Sequence, residues 1–319
     1  TLESSSAASD VYKRQLIIHY YGGNVMVKIK SLFLILTVFM FGSASLMAKT
    51  QLTVYTAVEA EDLKKYAKTF NEDHPDIEIN WVRDSTGIIT AKLLAEKDNP
   101  QADIIWGLAG TSAMLMKAEG MFEPYAPKGL DQLDPKFRDS ANPPSWTGMD
   151  AWVAAVCVNT IEAEKYGLPM PGSWEDLTKP VYEGHVAMPN PNSSGTGFLD
   201  VSSWLQIFGE DGGWDYMDRL HKNISHYTHS GSKPCKQAAS GEVPIGVSFA
   251  FRGARSKEAG APIEIIVPAE GVGWEMEATA IIKGTSNLEA AKTLADWSIS
   301  RKAMDCLLYT SPSPRDTRR

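Results

Sequence analysis

The sequence predicts an α/β fold of two lobes, with mainly parallel sheets flanked by helices and a ligand site at the carboxyl edge of the strands. Three observations carry this expectation. The chain has 319 residues, 43% of them hydrophobic and 22% charged, a globular composition long enough for about two domains. Runs of period two alternate with runs of helical period, the signature of βαβ units. Loops rich in glycine and hydroxyl residues recur between a strand-like run and a helix-like one, the edge at which open α/β sheets bind ligands.

The elements follow in order. Residues 1–25 are Ser-rich, then aromatic and without period, and read as a leader foreign to the body. Met26–Ala48 has the form of a signal peptide, with Lys28 and Lys30 ahead of the apolar run Leu32–Phe41 and small residues after it. That run is shorter than the ~20 residues a membrane-spanning helix needs, so cleavage near Ala48 is expected to release the protein into the periplasm. In the body, Leu52–Tyr55 reads as a strand, Leu63, Tyr66, Ala67 and Phe70 fall at helical spacing, and Ile77, Ile79 and Trp81 alternate as a second strand. Ile89–Lys97 is a helix and Ala102–Trp106 a short buried strand.

A stretch rich in Pro, Gly and Asp, Pro124–Gly148, gives way to the near-continuous apolar strand Ala151–Asn159, read as a first crossing between lobes. His185–Met188 is a strand and Val201–Phe208 a helix, and Pro244–Phe251 is a strand placed to carry the chain back. Strands Ile263–Val267 and Thr279–Lys283 follow, then a helix, Asn287–Ser300, with Leu288, Ala291 and Ala295 on one face. The crossings assign 49–153 plus 251–290 to lobe 1 and 154–250 plus 291–305 to lobe 2. From Cys306 the run CLLYTSPSPRDTRR sets Ser, Pro and Arg against that helix, and 306–319 reads as a foreign tail.

The formal net charge of −8 offers no basic face to a nucleic-acid backbone, so nucleic acid is not an expected partner. Two cysteines fall in the body, Cys157 and Cys235. An oxidising compartment permits a bridge between them, and two buried thiols are the alternative.

Three loops have the composition of anion sites. They are Asp84-Ser85-Thr86-Gly87, Asn192-Ser193-Ser194-Gly195-Thr196-Gly197, and Ser230-Gly231-Ser232 ahead of Cys235–Ser240. Each presents backbone N–H groups and hydroxyls at a helix start, where the helix dipole favours negative charge. Singly each is an ordinary N-cap; together they point to one tetrahedral oxyanion. The sequence lacks the P-loop pattern, a G-x-G-x-x-G after the first strand, and the G-x-S-x-G of a nucleophile elbow. His221, His226 and His229 lack a partner set with recognised metal-ligand spacing, so no metal and no catalytic residue is assigned. Trp106, Trp152 and Trp274 lie at strand ends or beside glycine, where an indole can wall a pocket or cover an ammonium group. Glu59, Asp150, Glu275 and Glu277 are acids placed to meet a ligand amine.

The segments LTVYTAVEAEDLKKY, NWVRDSTGIITAKLLAEKDNPQADIIWGLAGTS, GMDAWVAAVCVNT, MPNPNSSGTGFLDVSSWLQ, YTHSGSKPC and GWEMEATAIIKG resemble those of the periplasmic 2-aminoethylphosphonate-binding proteins of ABC importers. The resemblance spans nearly all of residues 49–305. It implies the type II periplasmic binding protein fold of the ferric-ion-binding-like superfamily, with the ligand in the cleft between the lobes, and a non-enzymatic monomer without cofactor that binds 2-aminoethylphosphonate and hands it to the permease subunits. Iron-binding relatives use adjacent tyrosines, and the one such pair here, Tyr20–Tyr21, lies in the leader. By this resemblance the phosphonate sits on Ser85, Thr86, Ser193, Ser194, Gly195, Thr196, Ser230 and Ser232. Tyr55, Trp106 and Trp274 wall the site, and Glu59, Asp150 and Glu277 are the candidates for the amine. Two alternatives use the same loops: an exported phosphonate or phosphate-ester hydrolase, and a binding protein for phosphate, sulfate or a polyamine.

Overall fold

The computed structural model describes residues 48–310. The leader, most of the signal segment, Tyr20–Tyr21 and the far end of the tail lie outside the described residues. The chain runs β1 (Thr50–Thr56), α1 (Ala60–Asn71), β2 (Ile77–Arg83), α2 (Thr86–Ala95), β3 (Ile104–Ala109), α3 (Gly110–Ala118), β4 (Phe122–Glu123) and β5 (Thr147–Asn159). It continues through α4 (Thr160–Lys165), β6 (Val186–Pro189), α5 (Gly195–Phe208), α6 (Glu210–His221), β7 (Ile224–Thr228), α7 (Lys233–Ser240) and β8 (Ile245–Phe249). The last elements are α8 (Ala250–Glu258), β9 (Ile263–Ile266), β10 (Trp274–Ile282), α9 (Leu288–Ser298) and α10 (Arg301–Thr310).

The strands order as β2-β1-β3-β10-β5-β8-β6-β7, with β4 on β10 and β9 on β5. The outer strands pair in parallel, as βαβ units must. The central strands β5 and β10 run antiparallel to their neighbours. Strand β5 is shared: Thr147–Val153 pairs with β10, and Ala154–Asn159 pairs with β8 and β9. The sheet therefore has two halves, joined through β5 and through the link from β9 to β10.

Alternation along the strands builds the cores. In the first half, Leu52, Val54, Ile104 and Trp106 face one layer, and Tyr55, Ile105 and Leu108 face the other. All six residues of β3 are buried, as expected of a central strand covered on both faces. In the second half Val156 and Val158 join a layer with Trp174, Trp204 and Tyr216, while Cys157 points the opposite way. There it forms a disulfide with Cys235, tying β5 to α7 across 78 residues of sequence.

Three features depart from the expected organisation. Strand β8 stays in the second half, paired with β5 and β6, so Pro244–Phe251 does not return the chain. The return comes later, between β9 and β10, and residues 251–266 belong with the second half. Ala291, Leu294 and Ala295 of α9 pack with Leu52, Val54 and Trp106, which places 291–305 against the first half rather than lobe 2. Finally, α10 runs unbroken past Asp305, and Cys306 and Leu307 are buried in that same layer, so no structural break marks Cys306.

One buried acid is unpaired. Asp200 of α5 is fully buried, and neither carboxyl oxygen has a hydrogen-bond partner among the described residues. Trp204 Nε1 and Tyr216 Oη of the same layer are likewise unpartnered. Burial pushes the Asp200 carboxyl well above its usual range, so the folded protein holds it neutral. Because the folded value exceeds the unfolded one, this residue's contribution to stability falls as pH rises above about 4. Asp200→Asn, which mimics the protonated acid, is expected to raise Tm by at least about 3 °C at pH 7. The gain should vanish near pH 4, and a pH-independent difference in thermal melts would disprove the assignment.

Candidate ligand cleft

A cavity of about 330 Å³ opens where the two halves meet. Helix starts from both halves line it. From the first half, β2 ends at Arg83 and the chain turns through Asp84 and Ser85 into α2. Ser85 holds the extended N-cap conformation, yet its Oγ caps no helix N–H and is buried without a partner among the described residues. From the second half, β6 leads through Asn190–Ser194 into α5, where Ser194 accepts from the Gly197 N–H at 3.3 Å. Beside it, the turn Ser230-Gly231-Ser232 starts α7, and Ser232 is buried with no capping bond of its own. Thr86, Gly195 and Thr196 complete this wall. These helix starts bring orphan backbone donors and hydroxyls to the cavity, the arrangement that binds an oxyanion.

The loops also grip each other. The Gly87 N–H donates to the Ser193 carbonyl at 2.9 Å. Ser193 Oγ donates to the His229 carbonyl at 2.7 Å, and His229 Nε2 meets Asp84 at 2.7 Å. These contacts join the first half to the second across the cleft mouth.

Asp150 and Glu277 lie at the cavity as register partners on β5 and β10. The Glu277 N–H donates to Asp150 Oδ1 at 3.2 Å, which sets the two acids side by side. Burial raises both, and the Asp150 charge raises Glu277 further. Two acids in contact cannot both ionise, so the pair holds one proton. Their partial exposure is toward the cavity they line. The apolar wall comes from Trp152, Phe249 and Phe251, with Trp152 and Phe249 edge to face at 5.8 Å.

Ten of the expected ligand residues line this cavity: Glu59, Ser85, Thr86, Asp150, Ser194, Gly195, Thr196, Ser230, Ser232 and Glu277. Four do not. Tyr55 is buried on the face of β1 away from the cleft, with Oη on Glu96 at 2.9 Å. Trp106 is fully buried and donates to Ser298 Oγ at 2.7 Å, because the parity of β3 turns it into the layer beneath α9. Trp274 is 53% exposed and packs near Phe137 instead. Ser193 braces the loops as described above.

Glu59 is already committed. Arg252 reaches it at 2.9 Å and Lys236 at 3.2 Å, and both cations also reach Glu61. Since α1 carries the acids while α7 and α8 carry the cations, this cluster is another contact between the halves. Its value lies in registering them, because a largely buried ion pair contributes little net stability. Sequence reasoning missed Arg83, Phe249 and Phe251. Arg83 lines the cavity while its Nε donates to the Val58 carbonyl at 3.0 Å; its place directly ahead of the first hydroxyl loop was the available signal. The phenylalanines had no local signal, since only the β5–β8 register brings Phe249 beside Trp152.

The histidines are engaged singly, His221 with Tyr227, His226 with Gln237 and His229 with Asp84. No cluster of three His, Cys, Asp or Glu side chains suited to a metal occurs among the described residues. Ser193 Oγ meets the backbone of His229 rather than its ring, so these residues do not build a Ser-His-Asp relay.

A cleft between two α/β halves, lined by helix starts from both and crossed by loop-to-loop contacts, defines a solute-binding protein. The chain belongs to the family of bacterial extracellular solute-binding proteins, whose profile matches residues 99–317. The match includes residues 306–317, which the sequence reading set aside as foreign. An uncharacterized protein of Haemophilus influenzae is 34% identical over 266 residues, covering 82% of this chain and 77% of that one. The solved periplasmic binding protein AfuA of Actinobacillus pleuropneumoniae, with fructose-6-phosphate bound, is 35% identical with a TM-score of 0.78, covering 82% of this chain and 83% of that one. It confirms the α/β periplasmic-binding-protein fold. A putative 2-aminoethylphosphonate-binding periplasmic protein of Salmonella typhimurium is 23% identical over 282 residues, 84% of this chain and 80% of that one. The family and this solved relative are solute-binding proteins.

Proposed function

We propose that the protein is the periplasmic solute-binding component of an ABC importer and captures a small organophosphorus anion, with 2-aminoethylphosphonate as the first candidate. One observation carries the reading: hydroxyl-bearing helix starts from both halves line one cavity together with the Asp150–Glu277 carboxyl pair. The phosphonate would be held by Ser85 and Thr86 from the first half and by Ser194, Gly195, Thr196, Ser230 and Ser232 from the second. Neither half can satisfy all the phosphonate oxygens, so charge-assisted hydrogen bonds from both stabilise the ligand-bound closed state. Asp150 and Glu277 are placed to meet the ammonium group, with Trp152 and Phe249 beside them. Delivery to permease subunits is what membership of the solute-binding family supports.

A second reading, a sugar phosphate, is favoured by the cavity volume of about 330 Å³, ample for a hexose phosphate, and by the ligand of the solved relative. The same anion loops serve both. The double substitution Ser194→Ala with Thr196→Val is expected to weaken 2-aminoethylphosphonate binding by at least about thirtyfold, the loss of two hydrogen bonds to a charged group. The melting temperature should fall far less than that loss suggests. Calorimetry showing unchanged affinity would remove the loops from the site. Binding of fructose-6-phosphate with no response to 2-aminoethylphosphonate would select the second reading.

A further inference from the structure

We propose that the Asp150–Glu277 pair is a proton-exchanging cation subsite, which gives up its shared proton when a ligand ammonium group enters, so the cleft selects zwitterionic phosphonates over uncharged-tailed ones. The inference rests on the phosphonate reading above and adds a coupling that the reading does not require.

The geometry has three parts. The two acids come from neighbouring antiparallel strands and face each other in register. The Glu277 backbone N–H fixes the orientation of the Asp150 carboxyl. Both line the cavity that the anion loops also line. A Cβ built on Gly107 of β3 would lie 3.2 Å from Glu277 Oε2, so this glycine leaves room beside the carboxyl.

The charges around the pair are few. Glu59, directly before α1, Asp62 of α1 and Arg83 of β2 line the same cavity. Glu59 acts to raise Glu277 and Arg83 to lower it. Glu59 is itself neutralised by Arg252 of α8 and Lys236 of α7. No cation is thus dedicated to the pair, and burial with mutual repulsion holds one proton on it. A ligand ammonium supplies the missing positive charge. The pair then ionises fully, one proton leaves to solvent, and the ammonium keeps its own. A hydroxyl or methyl terminus cannot do this, and the proton stays.

Linkage fixes the sign. A ligand that binds the deprotonated pair better gains affinity as pH rises, until the pair is ionised without it. The test is isothermal titration of the full chain at pH 7 in buffers of differing ionisation enthalpy, which counts protons. Ethylphosphonate serves as the comparison, because it carries the same headgroup without the amine. Once the protons given up by each free ligand's own phosphonate are subtracted, about one more proton should be released for 2-aminoethylphosphonate than for ethylphosphonate. Glu277→Gln should abolish the difference and weaken 2-aminoethylphosphonate at least about tenfold, with ethylphosphonate within about twofold. Equal proton counts for the two ligands would overturn the inference and leave the phosphonate reading standing. Failure of both to bind would overturn the reading and the inference with it.

Discussion

Replacing Gly87 by alanine will weaken ligand capture by at least about a hundredfold, close to 2.7 kcal/mol, while the melting temperature stays level or rises slightly. The reason is the contact between the first hydroxyl loop and the loop after β6. A Cβ built on Gly87 lies 2.1 Å from the Asn192 carbonyl oxygen, 3.0 Å from its carbon and 3.1 Å from the Ser193 carbonyl carbon. All three are backbone atoms, so no rotamer change relieves the clash. The two loops would have to part, taking with them the Gly87 N–H bond to Ser193 and the meeting of the anion loops. The helix itself does not need glycine: position 87 has ordinary helical geometry, and alanine there favours α2 by up to about 1 kcal/mol. Gly195→Ala is a milder case, because its Cβ would meet the Thr86 hydroxyl at 2.6 Å, a side-chain atom able to rotate. Calorimetric affinity beside a thermal melt separates these effects. An alanine variant that binds as well as the parent would show that the seam is not part of the bound state.

Removing the disulfide, as Cys157→Ala with Cys235→Ala, is expected to lower the unfolding free energy by roughly 4 kcal/mol, the chain-entropy value for a loop of this length. The two residues are 78 apart and fully buried. At about 2–4 °C per kcal/mol for a chain of this size, Tm should fall by about 8–16 °C. The bridge joins the second-half portion of β5 to the helix that starts at Ser232, so its loss loosens one of the anion loops as well. The expected signature is a lower melting point for the variant than for the oxidised parent. Equal melting points would mean that the bridge adds nothing to an already fixed packing.

Much of this architecture was legible in the chain. The period-two runs at Leu52–Tyr55 and Ile77–Trp81 marked β1 and β2, and the spacing of Leu288, Ala291 and Ala295 marked the buried face of α9. What α9 packs against was not legible, because a helix face shows that it is buried and not by what. The same limit explains the aromatic residues. Trp106 and Trp274 sit near strand ends, but strand parity turns one into the core, and the place of the other at the start of β10 leaves it in solvent. The residues that do wall the cleft, Trp152, Phe249 and Phe251, flank the crossing between halves, and only the strand order brings them together. The hydroxyl loops were readable because their chemistry is local: an N-cap and its neighbours carry their own donors wherever the helix lies. The return of the chain was misplaced for the opposite reason, since β8 and β10 are both apolar strands and nothing in their composition says which half claims them.

One passage between the halves is β5 itself and the other is the short link 267–273 between β9 and β10, both paired with β5, and the Ala154 N–H bonds the Gly273 carbonyl at 3.0 Å right at the crossing. Relative movement is thereby reduced to flexing one short ribbon, with no loose tether to wander. An unliganded molecule of this build samples few relative orientations, so little orientational entropy is forfeited when the jaws shut. Nearly all the binding free energy a solute supplies can then appear as affinity, because little of it goes into ordering the protein.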